Sequence, residues 1–231
     1  MSDACGPVRA VIFDLDGTLV DTAPDMVGAL NELRAEHGLE CVPFAHARSV
    51  VSHGAPALVR LGFGEPDAPR FEVLRERFLA LYRARLAHET RLFPGNARVL
   101  DELARLGLCV GIVTNKPGWL TDPLLAALGL DRRVGCIVSG DTLPEKKPHP
   151  RPLLHCAAQL GVAPAQCVYV GDAERDVRAA RAAGMRPLVA GYGYFTPADH
   201  PRSWPAEGWI DAPLELLAWL HPRLAPAPVA V

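Results

Sequence analysis

Val8-Arg-Ala-Val-Ile-Phe-Asp14-Leu-Asp16-Gly17-Thr18-Leu-Val-Asp21-Thr22 decides how this chain is read. An apolar run from Val8 to Phe13 stops at Asp14, and a second carboxylate follows at Asp16, ahead of Gly17 and Thr18. A short apolar run ended by turn residues reads as a buried parallel strand. Ligands of open α/β sheets bind beyond the carboxyl ends of such strands, and Asp14 stands at that end. Two carboxylates this close repel, so both stay ionised only beside a cation or strong donors. A hard divalent ion held by oxygens, Mg2+ for preference, meets that need. A bare Asp-x-Asp-Gly also occurs as a plain strand and turn. An EF-hand loop does not fit. Counted from Asp14, it puts Leu19 where glycine is required and Asp25 where glutamate is.

After Asp21 the pattern turns helical. Pro24 suits a first turn, and Val27, Leu30 and Leu33 recur at helical spacing until Gly38. A weaker helix covers 44–51, Ser52-His53-Gly54 interrupts it, and the pattern resumes over 56–61. Phe71, Leu74, Phe78, Leu81, Tyr82 and Leu86 form the clearest stripe, which reads as core rather than a ligand box. Residues 22–92 thus carry no strand signal and are too long for one crossover helix. They read as a small helical domain inserted into an α/β chain whose remainder is 1–21 and 93–231. Thr22 and Phe93-Pro-Gly95 are the expected hinges.

Beyond the insert, strands and helices alternate. A helix over 96–106 precedes a strand over 108–113, then Thr114-Asn115-Lys116-Pro117 and a helix to Leu128. A short strand over 135–138 follows, and Lys146-Lys147-Pro-His-Pro150 is read as starting a helix to Leu160. Cys167 to Val170 is a strand ending in Gly171-Asp172, with a helix over 174–183 and another strand over 186–190. Such alternation argues a doubly wound parallel sheet. Three strands then end in polar residues: Asp14, Thr114-Asn115 and Asp172. In a parallel sheet these ends share one edge. Carboxylates there suit a divalent metal, while lysine, threonine and backbone N–H groups suit a phosphate. Taken singly, Thr114 is also a helix-capping hydroxyl, Asn115 a turn former, Lys146 or Lys147 a surface charge, and Asp176 an acid favoured at a helix start.

Bulk properties narrow the class. The 231 residues are 49% hydrophobic and 22% charged, as in ordinary globular proteins, with a net charge of −2 that gives no basic footprint for nucleic acid. No apolar run approaches the roughly 20 residues of a membrane span, and the first residues lack the charged and apolar regions of a signal peptide. Six cysteines occur without a Cys-x-x-Cys pair, and Cys109 and Cys167 sit in apolar runs. A reducing cytoplasm is expected, with neither zinc site nor disulfide framework. Pro222 to Val231 reads as a frayed tail.

The four strand-end segments together resemble the haloacid dehalogenase superfamily. Asp14-Leu-Asp-Gly-Thr18 matches its first motif, Ile112-Val-Thr114-Asn115 its second, Lys147-Pro-His-Pro150 its third, and Gly171-Asp172-Ala-Glu-Arg-Asp176 its fourth. The match covers nearly all of the chain, and the helical insert is similar to that family's small cap. Dehalogenases proper lack the second acid of the first motif, so Asp16 points to a phosphotransferase. The resemblance implies that Asp14 is the nucleophile, forming an aspartyl-phosphate, and that Asp16 serves as acid and then base. It implies Mg2+ on Asp14, the backbone carbonyl of Asp16, and Asp172. Thr114, Asn115 and Lys147 are implied as phosphate ligands, with Asp176 in support.

The implied substrate is a small phosphorylated metabolite, met above a substrate-contacting cap loop at Ser52, His53 and Gly54. Thr114-Asn-Lys-Pro117, Lys146-Lys-Pro-His-Pro150 and Gly191-Tyr-Gly-Tyr194 resemble bacterial phosphoglycolate phosphatases, so 2-phosphoglycolate is the first expectation. The aromatic segment from Gly191 to Trp209 is also similar to enzymes that dephosphorylate N-acetylmuramic acid 6-phosphate. A sugar phosphomutase related to β-phosphoglucomutase is the third expectation. A non-catalytic phosphate-binding module on this fold would be expected to lack Asp14 or Asp16, and both are present. A monomer or weak homodimer without nucleic-acid or membrane partners is expected.

Overall fold

The computed structural model describes residues 6–225. Cys5, the first residues read for a signal peptide, and 226–231 of the expected tail lie outside them. In chain order the elements are β1 (Ala10–Phe13), β2 (Val20–Asp21), α1 (Ala23–Glu36), α2 (Phe44–Ser49), α3 (Gly54–Phe63), α4 (Ala68–Ala84) and β3 (Arg91–Leu92). There follow α5 (Asn96–Arg105), β4 (Cys109–Val113), α6 (Gly118–Ala127), β5 (Cys136–Val138), α7 (Arg151–Gln159) and β6 (Cys167–Gly171). The last are α8 (Glu174–Ala182), β7 (Arg186–Ala190), β8 (Gly208–Ile210) and α9 (Glu215–Leu220).

Six strands pair in parallel in the order β5-β4-β1-β6-β7-β8. The doubly wound α/β expectation holds. Strand β1 is central because its continuous apolar run suits burial on both faces. Val11 and Phe13 pack with Val99, Leu103, Leu124 and Leu216, from α5, α6 and α9. Ala10 and Ile12 point the other way, onto Leu153 and Cys156 of α7 and Ala179 and Ala180 of α8. This alternation is the two-residue period of a strand serving two helical layers.

Helices α1–α4 form their own apolar cluster, built on Leu30, Leu33, Leu58, Phe78 and Tyr82, which reaches Leu120 and Tyr194 of the sheet layers. The stripe on α4 is core, as its spacing predicts, at Leu74, Phe78, Leu81 and Tyr82, while Leu86 lies beyond the helix. Two strands absent from the sequence reading, β2 and β3, pair antiparallel with Val20 opposite Leu92 and Asp21 opposite Arg91. They carry the chain out to α1 and back side by side.

Two expectations are corrected. Helix α7 starts at Arg151, not at Lys146-Lys147. The residue before a proline is driven away from helical backbone, and both Lys147 and His149 precede one. The start of the expected tail is also pinned, since Arg223 accepts a hydrogen bond from the Val8 N–H at 2.8 Å. Among the described residues no helix is long and apolar enough to cross a membrane. Cys136, Cys156 and Cys167 are buried free thiols, and Cys109 is half-buried.

Candidate active site

Parallel register sets Phe13 beside both Ile112 and Val170, so the ends of β1, β4 and β6 meet. Asp14, Thr114 and Asp172 follow directly, each almost fully buried. Lys147 enters from the loop before α7 and Asp176 from the first turn of α8. The Lys147 ammonium contacts Asp14 Oδ1 at 2.8 Å and Asp176 Oδ1 at 2.8 Å. It also donates to the Val113 carbonyl at 2.9 Å and the Tyr169 hydroxyl at 2.8 Å. Lysine has only three protons, so this ammonium is fully engaged by protein groups. Asn115 is engaged too. Its amide donates to the Lys147 carbonyl at 3.0 Å and accepts from the Lys147 N–H at 3.1 Å, which fixes the Lys147 turn. Both side chains, expected at the phosphate, are thus bonded to protein groups in this structure. Thr114 Oγ accepts from the Lys116 N–H at 3.1 Å and keeps its own proton to donate.

Asp16 makes a separate set of bonds. Its Oδ1 accepts from the Thr22 hydroxyl at 2.7 Å and from the Lys116 ammonium at 2.8 Å. Lys116 is itself buried and lies 4.6 Å from the centre of the Tyr82 ring on α4. Burial opposes its charge, but Asp16 and the Tyr82 phenol outweigh that and hold Lys116 above the usual lysine value.

The Ser52 loop reaches down to the sheet. Ser52 Oγ donates to Asp172 Oδ2 at 2.5 Å, and its carbonyl accepts from Arg175 Nη2 at 2.7 Å. Arg175 lies 3.9 Å from Asp14 Oδ2, and its Nε is buried without a hydrogen-bond partner among the described residues. Asp14, Asp16, Ser52, His53, Gly54, Thr114, Asn115 and Arg175 share a cavity of about 780 Å³. Helix α4 and the α6 end of the sheet layer wall its far side with Arg75, Glu76, Leu79 and Trp119.

A family model described as haloacid dehalogenase-like hydrolase matches residues 11–190. The chain belongs to that family. The hydrolase is 46% identical over 217 residues to a phosphoglycolate phosphatase of Xanthomonas campestris pv. campestris, covering 93% of this chain and 98% of that one. It is 40% identical over 211 residues to an N-acetylmuramic acid 6-phosphate phosphatase of Pseudomonas aeruginosa, covering 91% and 93%. A crystal structure of a predicted phosphoglycolate phosphatase from Haemophilus somnus superposes with a TM-score of 0.81 at 28% identity, covering 92% and 97%.

The hydrolase therefore gathers three buried carboxylates, Asp14, Asp172 and Asp176, whose oxygens lie within 4.8 Å of one another. Burial pushes Asp14 up to about 6 even though Lys147 pulls the other way. Burial pushes Asp172 up to about 7, and repulsion from Asp14 and Asp176 adds to it. Burial would raise Asp176 as well, but Lys147 and Arg175 outweigh it and hold that carboxyl below its usual value. An all-oxygen set with two strained carboxylates fits a hard divalent cation. The Asp16 carboxylate is not part of this set, and its Oδ1 is held by Lys116 and Thr22. Asp176 stands in the cluster instead.

A carboxyl raised by folding takes up a proton on folding, so its contribution to stability falls as pH rises from about 4 to about 7. A cation bound to the ionised pair offsets this loss. Saturating divalent metal should raise the melting temperature more at pH 8 than at pH 5.5, by about 2–4 °C for each kcal/mol of binding. Equal shifts at both pH values, read by scanning calorimetry, would remove Asp14 and Asp172 from the ligand set.

Sequence reasoning missed Lys116, Tyr169, Arg175 and the backbone N–H of Tyr194. Arg175 lies inside the quoted fourth motif beside Asp176, where a basic residue next to an acid was the available signal, whereas Lys116 stands 100 residues from the acid it holds. Tyr169 sits in an apolar strand and gives none.

Proposed function

We propose that this protein is a Mg2+-dependent phosphate monoester hydrolase working through an aspartyl-phosphate on Asp14. One observation carries the reading. Asp14 Oδ1 is held by Lys147 and by the Leu15 N–H at 2.7 Å, which leaves Oδ2 on the Arg175 side of the cavity. A carboxylate held in this way is oriented for attack at phosphorus. The ester oxygen leaves with a proton from Asp16. Water then attacks the aspartyl-phosphate, gives its proton to Asp16, and releases inorganic phosphate, so one carboxyl acts as acid and then base. Lys116 and Thr22 hold Asp16 through Oδ1, and Oδ2 is the oxygen we assign to this proton. A bound Mg2+, on Asp14, Asp172 and the Asp16 carbonyl, would neutralise repulsion between phosphate and carboxylates. The Thr114 hydroxyl, the Asn115 main-chain N–H and the unpartnered Arg175 Nε are the donors we assign to phosphoryl oxygens, with Lys147 holding the nucleophile and Asp176 orienting Lys147. Residues 22–92 act as a cap that shuts out water, with Ser52, His53 and Gly54 at the substrate.

Identity to the phosphoglycolate phosphatase relatives makes 2-phosphoglycolate the first substrate to assign. The cavity favours a second. Its volume of about 780 Å³ matches sites for drug-sized ligands, roughly 300–1,000 Å³, and far exceeds a two-carbon acid. Trp119 and Leu79 on its wall suit a sugar ring, as in N-acetylmuramic acid 6-phosphate. The reading includes a monomeric or weakly dimeric cytoplasmic enzyme acting on a small phosphorylated metabolite. Phosphate release from both esters, compared as kcat/KM with p-nitrophenyl phosphate as a control, tests the assignment. A ratio above about tenfold for either ester assigns that substrate. Absence of Mg2+-dependent release from all three would overturn the hydrolase reading. Interconversion of sugar phosphates without net release would instead favour a mutase.

A further inference from the structure

Gly191-Tyr192-Gly193-Tyr194 belongs to none of the four motifs, yet it lies between the two carboxylate systems. The Tyr194 N–H donates to Asp172 Oδ2 at 3.0 Å. At the other end of the residue, the Tyr194 hydroxyl donates to Asp21 Oδ1 at 2.6 Å and accepts from the Ala23 N–H at 3.1 Å. Asp21 and Ala23 flank Thr22, whose hydroxyl holds Asp16. Tyr194 is 1% exposed, so water does not compete for these bonds. Phe93, next to the β2–β3 ribbon, packs 6.1 Å from its ring centre. From the helical side, the Arg48 guanidinium stacks on the ring at 4.6 Å and donates to the Gly193 carbonyl at 3.3 Å.

The segment can lie here only because residue 193 has no side chain. A Cβ at Gly193 would come 2.3 Å from the Asp172 Cβ and 2.8 Å from the Gly17 carbonyl. At Gly17, where φ is +82°, a Cβ would come 2.1 Å from Asp172 Oδ2. Two glycines thus admit the loop to the flank of Asp172, and the tyrosine spans from there to the hinge.

We propose that Tyr194 is a positioning residue that sets the distance between Asp172 and the Thr22–Asp16 pair by bracing the hinge on both sides of Thr22. It touches no reacting atom. Its backbone fixes one carboxylate, and its phenol fixes the peptide that carries the hydroxyl holding the other. The Arg48 stack extends the brace to α2, so the helices above the cavity rest on the same residue.

Tyr194→Phe keeps the ring, the Arg48 stack and the backbone bond to Asp172, and removes only the hydroxyl. With the hydrolase reading supplying the kinetic readout, kcat should fall about tenfold while KM changes less than about twofold, because the ring and cavity wall persist. The half-saturating Mg2+ concentration should stay within about twofold of wild type, since the N–H on Asp172 remains. Hydrogen exchange gives a readout independent of any substrate. The Ala23 amide and the first turn of α1 should exchange about tenfold faster, while the amides of Leu188 to Ala190 in β7 keep their wild-type rates. Tyr192→Phe is the matched control. It removes a phenol that donates to the Thr18 carbonyl at 3.1 Å, outside the hinge, and should leave Ala23 exchange unchanged. Unchanged Ala23 exchange in Tyr194→Phe would overturn the proposal. So would a rise shared equally by the β7 amides, which marks general destabilisation, or an unaltered kcat alongside faster exchange. Wild-type protein that releases no phosphate would sink the hydrolase reading, whereas the exchange result decides the brace.

Discussion

Asp14→Asn should lower phosphate release by about 10⁴-fold or more while leaving the protein folded. The loss is that large because the carboxamide cannot form the covalent intermediate, and removal of a nucleophile is not shared out among neighbours. Retained folding follows from the site's electrostatics. Burial already pushes Asp14 up to about 6, so the ionised carboxylate is a burden on the metal-free fold at neutral pH. An amide of the same shape removes that burden, keeps an oxygen for the Leu15 N–H and the Lys147 ammonium, and fills the same space. The metal-free variant should therefore melt no lower than wild type at pH 7.5. Phosphate-release assays and calorimetry on the same preparation check both halves. Activity within tenfold of wild type would take Asp14 out of the nucleophile role, and a large fall in melting temperature would refute the account of its charge.

Lys147→Met is the second large effect, and here stability suffers as well as turnover. The lysine side chain is 0% exposed and lies between Asp14 and Asp176, at 2.8 Å from each. Methionine has similar length and no charge. Removing one partner from a buried ionic cluster costs about 3–5 kcal/mol, because the remaining charges stay desolvated. Burial raises both carboxyls, and Lys147 is the largest opposing influence on each. Its loss therefore penalises only their ionised forms. Unfolding in urea should show the full deficit at pH 7.5 and a smaller one at pH 5, where Asp14 takes up a proton. Turnover should fall by about 10²–10³-fold, the range for losing one preorganised electrostatic partner. A deficit equal at both pH values would mean that Lys147 acts through packing rather than charge.

What could be read from the sequence was whatever local pattern encodes. The runs ending at Asp14, Thr114 and Asp172 announce themselves because strands buried on both faces need unbroken apolar residues, and the polar residue that ends each run marks the sheet edge. Helices α1 and α4 were legible from the spacing of their apolar residues. Strands β2 and β3 were not, since two residues carry no period. Strand β8 was hidden because Gly208 to Ile210 lies in an aromatic, proline-rich stretch. Lys116 and Tyr194 escaped notice because their partners, Asp16, Asp21 and Asp172, are distant in sequence. Only the register of the sheet and the course of the ribbon bring them together. Asn115 and Lys147 were picked out by the sequence, but the bonds their side chains make, to each other's loop and to Asp14 and Asp176, are tertiary and carry no local pattern.

The side-by-side entry and exit of the chain at Val20–Asp21 and Arg91–Leu92 has a consequence for the order of assembly during synthesis. Strand β1 emerges first, yet it pairs with β4 and β6, whose Cys109 and Cys167 stand opposite Ala10. Between β1 and either partner the ribosome releases the whole of α1–α4, a contiguous segment whose contacts are mostly its own. Local contacts form faster than distant pairings, and units fold as they leave the ribosome. The helices over the cavity are thus expected to form while the strand bearing Asp14 is still unpaired, with the β2–β3 ribbon then delivering β4 to its edge.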